Sequence, residues 1–189
     1  MGTVIRNIIN MIPYMIIAIP IYLIARFIFI KAKKIKANWY HETALFIFVV
    51  FIVGLASQTI IPKFEFGMGK GIVKSGISEI NLIPFKVFVD TYKEVFINGY
   101  INYFIVNFLG NIMLFIPIGF FIALLWKLND KRVILIGFCI SLFIEFCQLF
   151  LNRGTDVDDL ILNTVGTILG LLLYKFLNKK FNKFISKFR

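Results

Sequence analysis

Residues 141–170 read SLFIEFCQLFLNRGTDVDDLILNTVGTILG, an apolar helix, a short polar corner and a second apolar helix. Around the corner sit Glu145, Gln148, Arg153, Asp156, Asp158, Asp159 and Asn163. The whole chain is 59% hydrophobic and only 16% charged, so this concentration of polar groups is local. Ionisable groups among membrane-spanning helices are expensive, and a cluster of them marks a functional site. Ser141, Glu145, Gln148 and Asn152 follow i, i+4, i+7, i+11, which predicts one helix face. Asp159, Asn163, Gly166 and Gly170 repeat that spacing. Two polar stripes meeting at a tight corner are expected to face each other and not lipid.

A mean hydropathy of +0.86 over 189 residues places the chain among membrane proteins. The net charge of +11 is no sign of nucleic-acid binding, because the basic residues gather beyond the ends of apolar runs. Cys139 and Cys147, on one predicted helix, are separated by roughly 12 Å of helical rise, too far for a disulfide. The single histidine, His41, has no cysteine or carboxylate cluster near it, which argues against a histidine metal site or a triad.

The pattern predicts an all-α integral membrane protein with five transmembrane helices, at about 8–30, 44–61, 103–126, 133–151 and 159–177. Pro13 and Pro20 fall inside the first span as expected kinks, and Arg26 near its far end is expected to snorkel. Residues 62–102 lack a spanning run. There Gly67, Gly69, Gly71 and Gly76 predict turns, Phe64 and Phe66 alternate as in a short strand, and Asn81–Phe85 precedes an amphipathic helix over 86–98. Asn107 and Asn111 lie one turn apart in the third span, ahead of Pro117 and Gly119. The tail, 178–189, carries Phe181, Phe184, Ile185 and Phe188 at i, i+3, i+4, i+7 among lysines, which predicts a basic amphipathic helix on an anionic leaflet.

Five spans put the termini on opposite sides. With the N-terminus outside and the C-terminus inside, the inner side holds 14 basic residues against Glu42 and Asp130. The outer side then holds 7 basic residues against 8 acidic ones. The positive-inside rule selects this arrangement, and Trp39 and Trp126 then both fall at the inner interface. Asn107, Asn111, Glu145, Gln148, Arg153, the three aspartates and Asn163 consequently predict a polar pocket open to the outside, roofed by Asn81–Phe85. No repeat symmetry accompanies it, and a polar zone confined to one leaflet does not resemble a midplane alternating-access site.

Asn107–Phe120 (NFLGNIMLFIPIGF) resembles the third-span pattern of the VanZ-like family. Ile144, Glu145 and Gln148, followed by RGTDVDDLILNTVG from Arg153 to Gly166, are similar to the family's signature, and Asn81–Phe85 resembles its outer-loop motif. The resemblance covers about residues 79–170 in the family's order. It implies a multi-pass protein of the bacterial plasma membrane. The family takes its name from a protein associated with resistance to teicoplanin, a lipid-bearing glycopeptide that acts on cell-wall precursors. The resemblance supplies a process, not a reaction.

Two functional readings follow. In the first, the pocket binds membrane lipid, a lipid-linked cell-wall precursor or the lipid tail of a lipoglycopeptide, through Asn81, Asn107, Asn111, Gln148, Arg153 and Asn163. In the second, the chain is an enzyme acting on a lipid-linked phosphate, with Glu145, Asp156 and Asp159 catalytic and Glu145 as general acid or base. Asp156, Asp158 and Asp159 then hold a divalent cation, Mg²⁺ or Ca²⁺. Each residue also has a plainer role. Glu145 can fix the bundle through Arg153, the aspartates can cap a helix, and the asparagines can bond between helices.

Overall fold

A computed structural model describes residues 2–60, 80–151 and 154–189, with residues 2–8 and 80 described by their backbone alone. The strand expected at Phe64–Phe66, the turns at Gly67–Gly76, and Asn152 and Arg153 lie outside the described residues.

The described residues are helical almost throughout. Helix α1 (Gly2–Lys33) runs unbroken through Pro13 and Pro20. The freed backbone groups are therefore accommodated without ending the helix, as spanning helices allow. Lys34, in the left-handed region at φ 51°, marks its end. The side chain of Asn38 caps α2 (Trp39–Thr59) by accepting from the Tyr40 N–H at 3.1 Å, so this helix begins five residues before the expected span. The amphipathic segment forms α3 (Lys86–Tyr92) and a π-helical turn over Lys93–Ile97. Ile101–Leu125 is one long rod made of α4 (Ile101–Tyr103), a π-helical stretch over Phe104–Leu109, and α5 (Gly110–Leu125). Asn129 caps α6 (Asp130–Gln148), and Asp156 caps α7 (Val157–Lys180), which starts two residues before the predicted fifth span. The tail carries the short helix α8 (Asn182–Ile185).

Among the described residues, four helical stretches are long and apolar enough to cross a membrane: Ile9–Lys33, Trp39–Thr59, Ile101–Leu125 and Val157–Lys180. Helix α6, which carries Lys131, Arg132 and Glu145, is not one of the four. It packs antiparallel beside α7, and Lys175 of α7 pairs with Asp130 at the start of α6.

Helix α7 is the centre of the bundle, with α5 along one side and α6 along another. Glycines allow its closest approaches. A methyl group at Gly170 would lie 2.0 Å from the Ile116 carbonyl oxygen, and one at Gly166 would lie 2.3 Å from that of Ile112. From the other side, a methyl at Gly119 would lie 2.0 Å from the Thr167 carbonyl oxygen. Gly119 therefore serves close approach, and α5 continues helically past Pro117. Among the most deeply buried side chains, Ser141, Asp158 and Thr167 are polar, beside Phe115, Ile118 and Val133. Helix α2 packs on α5, and α1 is attached chiefly through α2.

The tail packs against the helix ends. It folds back under the ends of the helices, burying Ile185. The Arg189 guanidinium donates to the Tyr174 hydroxyl and to the Ala123 carbonyl, while Asn38 donates to the Lys187 carbonyl at 2.8 Å. A ring nitrogen of His41 bonds the Phe188 carbonyl at 2.9 Å. The one histidine thus has a structural partner.

Candidate functional site

At the opposite end from the tail, the corner between α6 and α7 meets the segment leading into α3. Two residues of each form a minimal parallel ladder, β1 (Ile80–Asn81) against β2 (Thr155–Asp156). Side chains reinforce it. The Asn81 amide donates to both carboxylate oxygens of Asp156 at 3.0 Å, and its own oxygen accepts from the Ile83 N–H at 3.2 Å. The Asn81–Phe85 segment is thereby held against the corner.

The three aspartates have three different jobs. Asp156 caps its own helix by accepting from the Asp158 N–H at 2.9 Å. Asp158, only 2% exposed, caps a different helix. Its two oxygens accept from the N–H groups of Phe85 at 2.5 Å and Val87 at 2.7 Å, at the start of α3. Phe85 itself offers α3 no side-chain cap and sits in the left-handed region, at φ 66°. Asp158 therefore supplies from elsewhere in the chain the acceptor that the first turn of α3 lacks. Asp159 turns the other way, towards the long rod, where it accepts from the Asn111 amide at 2.5 Å.

A cavity of about 380 Å³ opens beside Asp159. Its polar walls are Asn81, Lys86, Tyr103, Asn107, Asp156 and Asp159. Of the residues singled out from the sequence, Asn81, Asn107, Asp156 and Asp159 line it, with Asn111 held behind Asp159. Lys86 and Tyr103 were not foreseen. Tyr103 had a signal, because Tyr103, Asn107 and Asn111 follow i, i+4, i+8. Lys86 had none beyond standing next to the Asn81–Phe85 segment.

Other candidates fall elsewhere. Glu145 is 5% exposed and does not line the cavity. One of its oxygens accepts from the Asp156 N–H at 3.2 Å, and its backbone carbonyl accepts from the Thr155 hydroxyl at 3.3 Å. It braces the corner from behind. Asn163 is 4% exposed and donates to the Ser141 hydroxyl at 2.8 Å, joining α7 to α6. It does not line the cavity. Gln148 is half-buried and its side chain makes no hydrogen bond among the described residues. Arg153 lies outside them.

Two of the acids are engaged by nitrogen donors of the protein. Both oxygens of Asp158 are occupied by backbone amides, and both of Asp156 by Asn81. Among the described residues, no three His, Cys, Asp or Glu side chains come together as ligands. The Mg²⁺ or Ca²⁺ expected at Asp156, Asp158 and Asp159 would share these oxygens with the amide donors.

A second charged contact was missed altogether. Arg26 of α1 donates from two nitrogens to the two carboxylate oxygens of Glu42 on α2, each at 2.7 Å. It is paired, where snorkelling was expected.

A family model described as VanZ/LLP1 matches residues 44–178. Protein VanZ of Enterococcus faecium is 39% identical over 84 residues, covering 40% of this chain and 48% of that protein. The chain thus spans about half the length of the curated relative it matches. No solved structure matches.

Proposed function

The chain belongs to the VanZ/LLP1 family, and from that premise we propose that it is a five-span envelope protein of the bacterial plasma membrane whose outward-facing pocket binds an amphiphile. The amphiphile is a lipid-linked cell-wall component or a teicoplanin-type lipoglycopeptide, and binding protects the envelope. The N-terminus is outside and the tail inside, as the basic residues prefer.

The observation that carries this reading is the composition of the cavity. Asp156 and Asp159 outnumber Lys86, and Asn107 and Tyr103 add neutral polar groups. Such walls carry more negative than positive charge, so they suit a head with ammonium or hydroxyl donors. Leu82, Ile83 and Phe85, all exposed, continue from the rim as an apolar ridge suited to a lipid chain. A bare phosphate suits the cavity poorly without a cation. That weakens the alternative, an integral-membrane enzyme acting on a lipid-linked phosphate with Glu145 as acid or base. If a reaction takes place, Asp159 is the carboxylate that faces it.

Teicoplanin susceptibility in a sensitive host tests the reading, with membrane levels matched between variants. Wild type is expected to protect, Asp159→Asn and Asn107→Leu to lose protection, and Glu145→Gln to keep it. Protection by both cavity variants at the wild-type level overturns the pocket. Failure of the wild type to protect overturns the assignment to resistance.

A further inference from the structure

We propose that the cleft between α1 and α2 binds an acyl chain of an anionic diacyl phospholipid, taken from the leaflet at the Lys31–Lys36 end. This site is separate from the polar cavity and does not depend on what that cavity binds.

The cleft has a volume of about 630 Å³, within the range of pockets that hold a discrete ligand. Leu23, Phe27 and Ile30 of α1 face Trp39 and Phe46 of α2 across it. The charged residues on its wall are Arg26 and Glu42, and they neutralise each other through two hydrogen bonds of 2.7 Å. The interior therefore has no net charge and favours hydrocarbon. One polar atom stands out. The Tyr22 hydroxyl on the wall is buried without a hydrogen-bond partner among the described residues, and the ester carbonyl of a lipid is an acceptor of the kind it lacks.

The mouth carries the opposite character. Lys31, Lys33, Lys34 and Lys36 follow one another around the end of α1, all exposed, and no acid occurs between Arg26 and Glu42. The folded-back tail adds Lys187, whose ammonium lies 5.2 Å from the centre of the Tyr40 ring. Trp39, 80% exposed, stands at the mouth as an interfacial aromatic. A neutral apolar slot whose lining residues Ile30 and Ala37 bracket four exposed lysines complements a hydrocarbon chain with an anionic head.

The chain has two tryptophans, Trp39 and Trp126, and both stand at the tail end. They provide a reporter and its control. Full-length Trp126→Phe and Trp39→Phe proteins are reconstituted in phosphatidylcholine vesicles containing brominated phosphatidylglycerol or brominated phosphatidylcholine. Quenching of Trp39 is expected to favour the phosphatidylglycerol by about fivefold or more, given the attraction of each lysine for an anionic head. Quenching of Trp126 should not discriminate. Replacing Lys31, Lys33, Lys34 and Lys36 by Gln should abolish the preference at Trp39, and Ala37→Leu, which narrows the cleft, should lower quenching by both lipids. Equal quenching of Trp39 by the two lipids means ordinary boundary lipid and overturns the proposal. So does a preference that survives loss of the lysines, or protection of Trp39 by a second copy of the chain at high protein density.

Discussion

Helices α7 and α1 are both long, apolar and able to cross a membrane, yet they relate to the protein in opposite ways. No residue of α1 from Ile9 to Lys33 is buried, against eight in α7. Helix α7 touches its neighbours backbone to backbone through Gly119, Gly166 and Gly170, and carries buried Asp158, Asn163 and Thr167. Helix α1 meets α2 through flexible side chains and one ion pair, Arg26–Glu42. Hydrophobicity alone does not separate the two. Small residues do, together with buried polar ones, because lipid gives apolar helices no reason to associate.

The largest effect should come from the glycine seam. Gly170→Ala places a methyl 2.0 Å from a carbonyl oxygen that cannot move without shifting α5. We expect a loss of about 3 kcal/mol or more, seen as a fall in the melting temperature in detergent or as no folded protein. Next is Asp158→Ala, which strips the first turn of α3 of both its acceptors. It should cost about 2–3 kcal/mol and make the Asn81–Ile97 segment sensitive to protease. Arg26→Leu alone leaves Glu42 unpaired among apolar side chains. It should cost about 1–2 kcal/mol, most of it recovered in the Arg26→Leu, Glu42→Leu double variant. Smallest is Gly54→Ala on α2, where the new methyl meets the Met11 side-chain terminus at 3.0 Å. Methionine yields, so the shift in melting temperature should correspond to less than about 1 kcal/mol. Equal effects at Gly54 and Gly170 would erase the distinction between the two helices.

Much of this was legible in the sequence. The long apolar runs located the spans to within a few residues, and the i, i+4 spacing of Ser141 with Glu145 and of Asp159 with Asn163 identified the facing stripes. What escaped depends on partners far along the chain. Three acids in four residues announce a cap, but nothing local says that Asp158 caps α3 and not its own helix. The tail has the periodicity of a surface helix, and only the distant contacts of Arg189 with Tyr174 and Ala123 fold it back. The π-helical stretch over Phe104–Leu109 left no sequence signal that we can name, although it carries Asn107 into the cavity wall. Arg26 and Glu42 were each read alone, because 16 residues separate them in sequence and nothing local marks them as partners.

Glu145 and Asp159 draw the same contrast on a smaller scale. Both are acids at the corner, and one braces it while the other faces the cavity. Binding of a fluorescent teicoplanin derivative to purified wild type, Asp159→Asn and Glu145→Gln tests that division most directly. The account predicts that Asp159→Asn weakens binding by about tenfold or more, the loss of a charged hydrogen-bond acceptor, while Glu145→Gln stays close to wild type. Unchanged binding in Asp159→Asn, with binding lost in a folded Glu145→Gln, would contradict it.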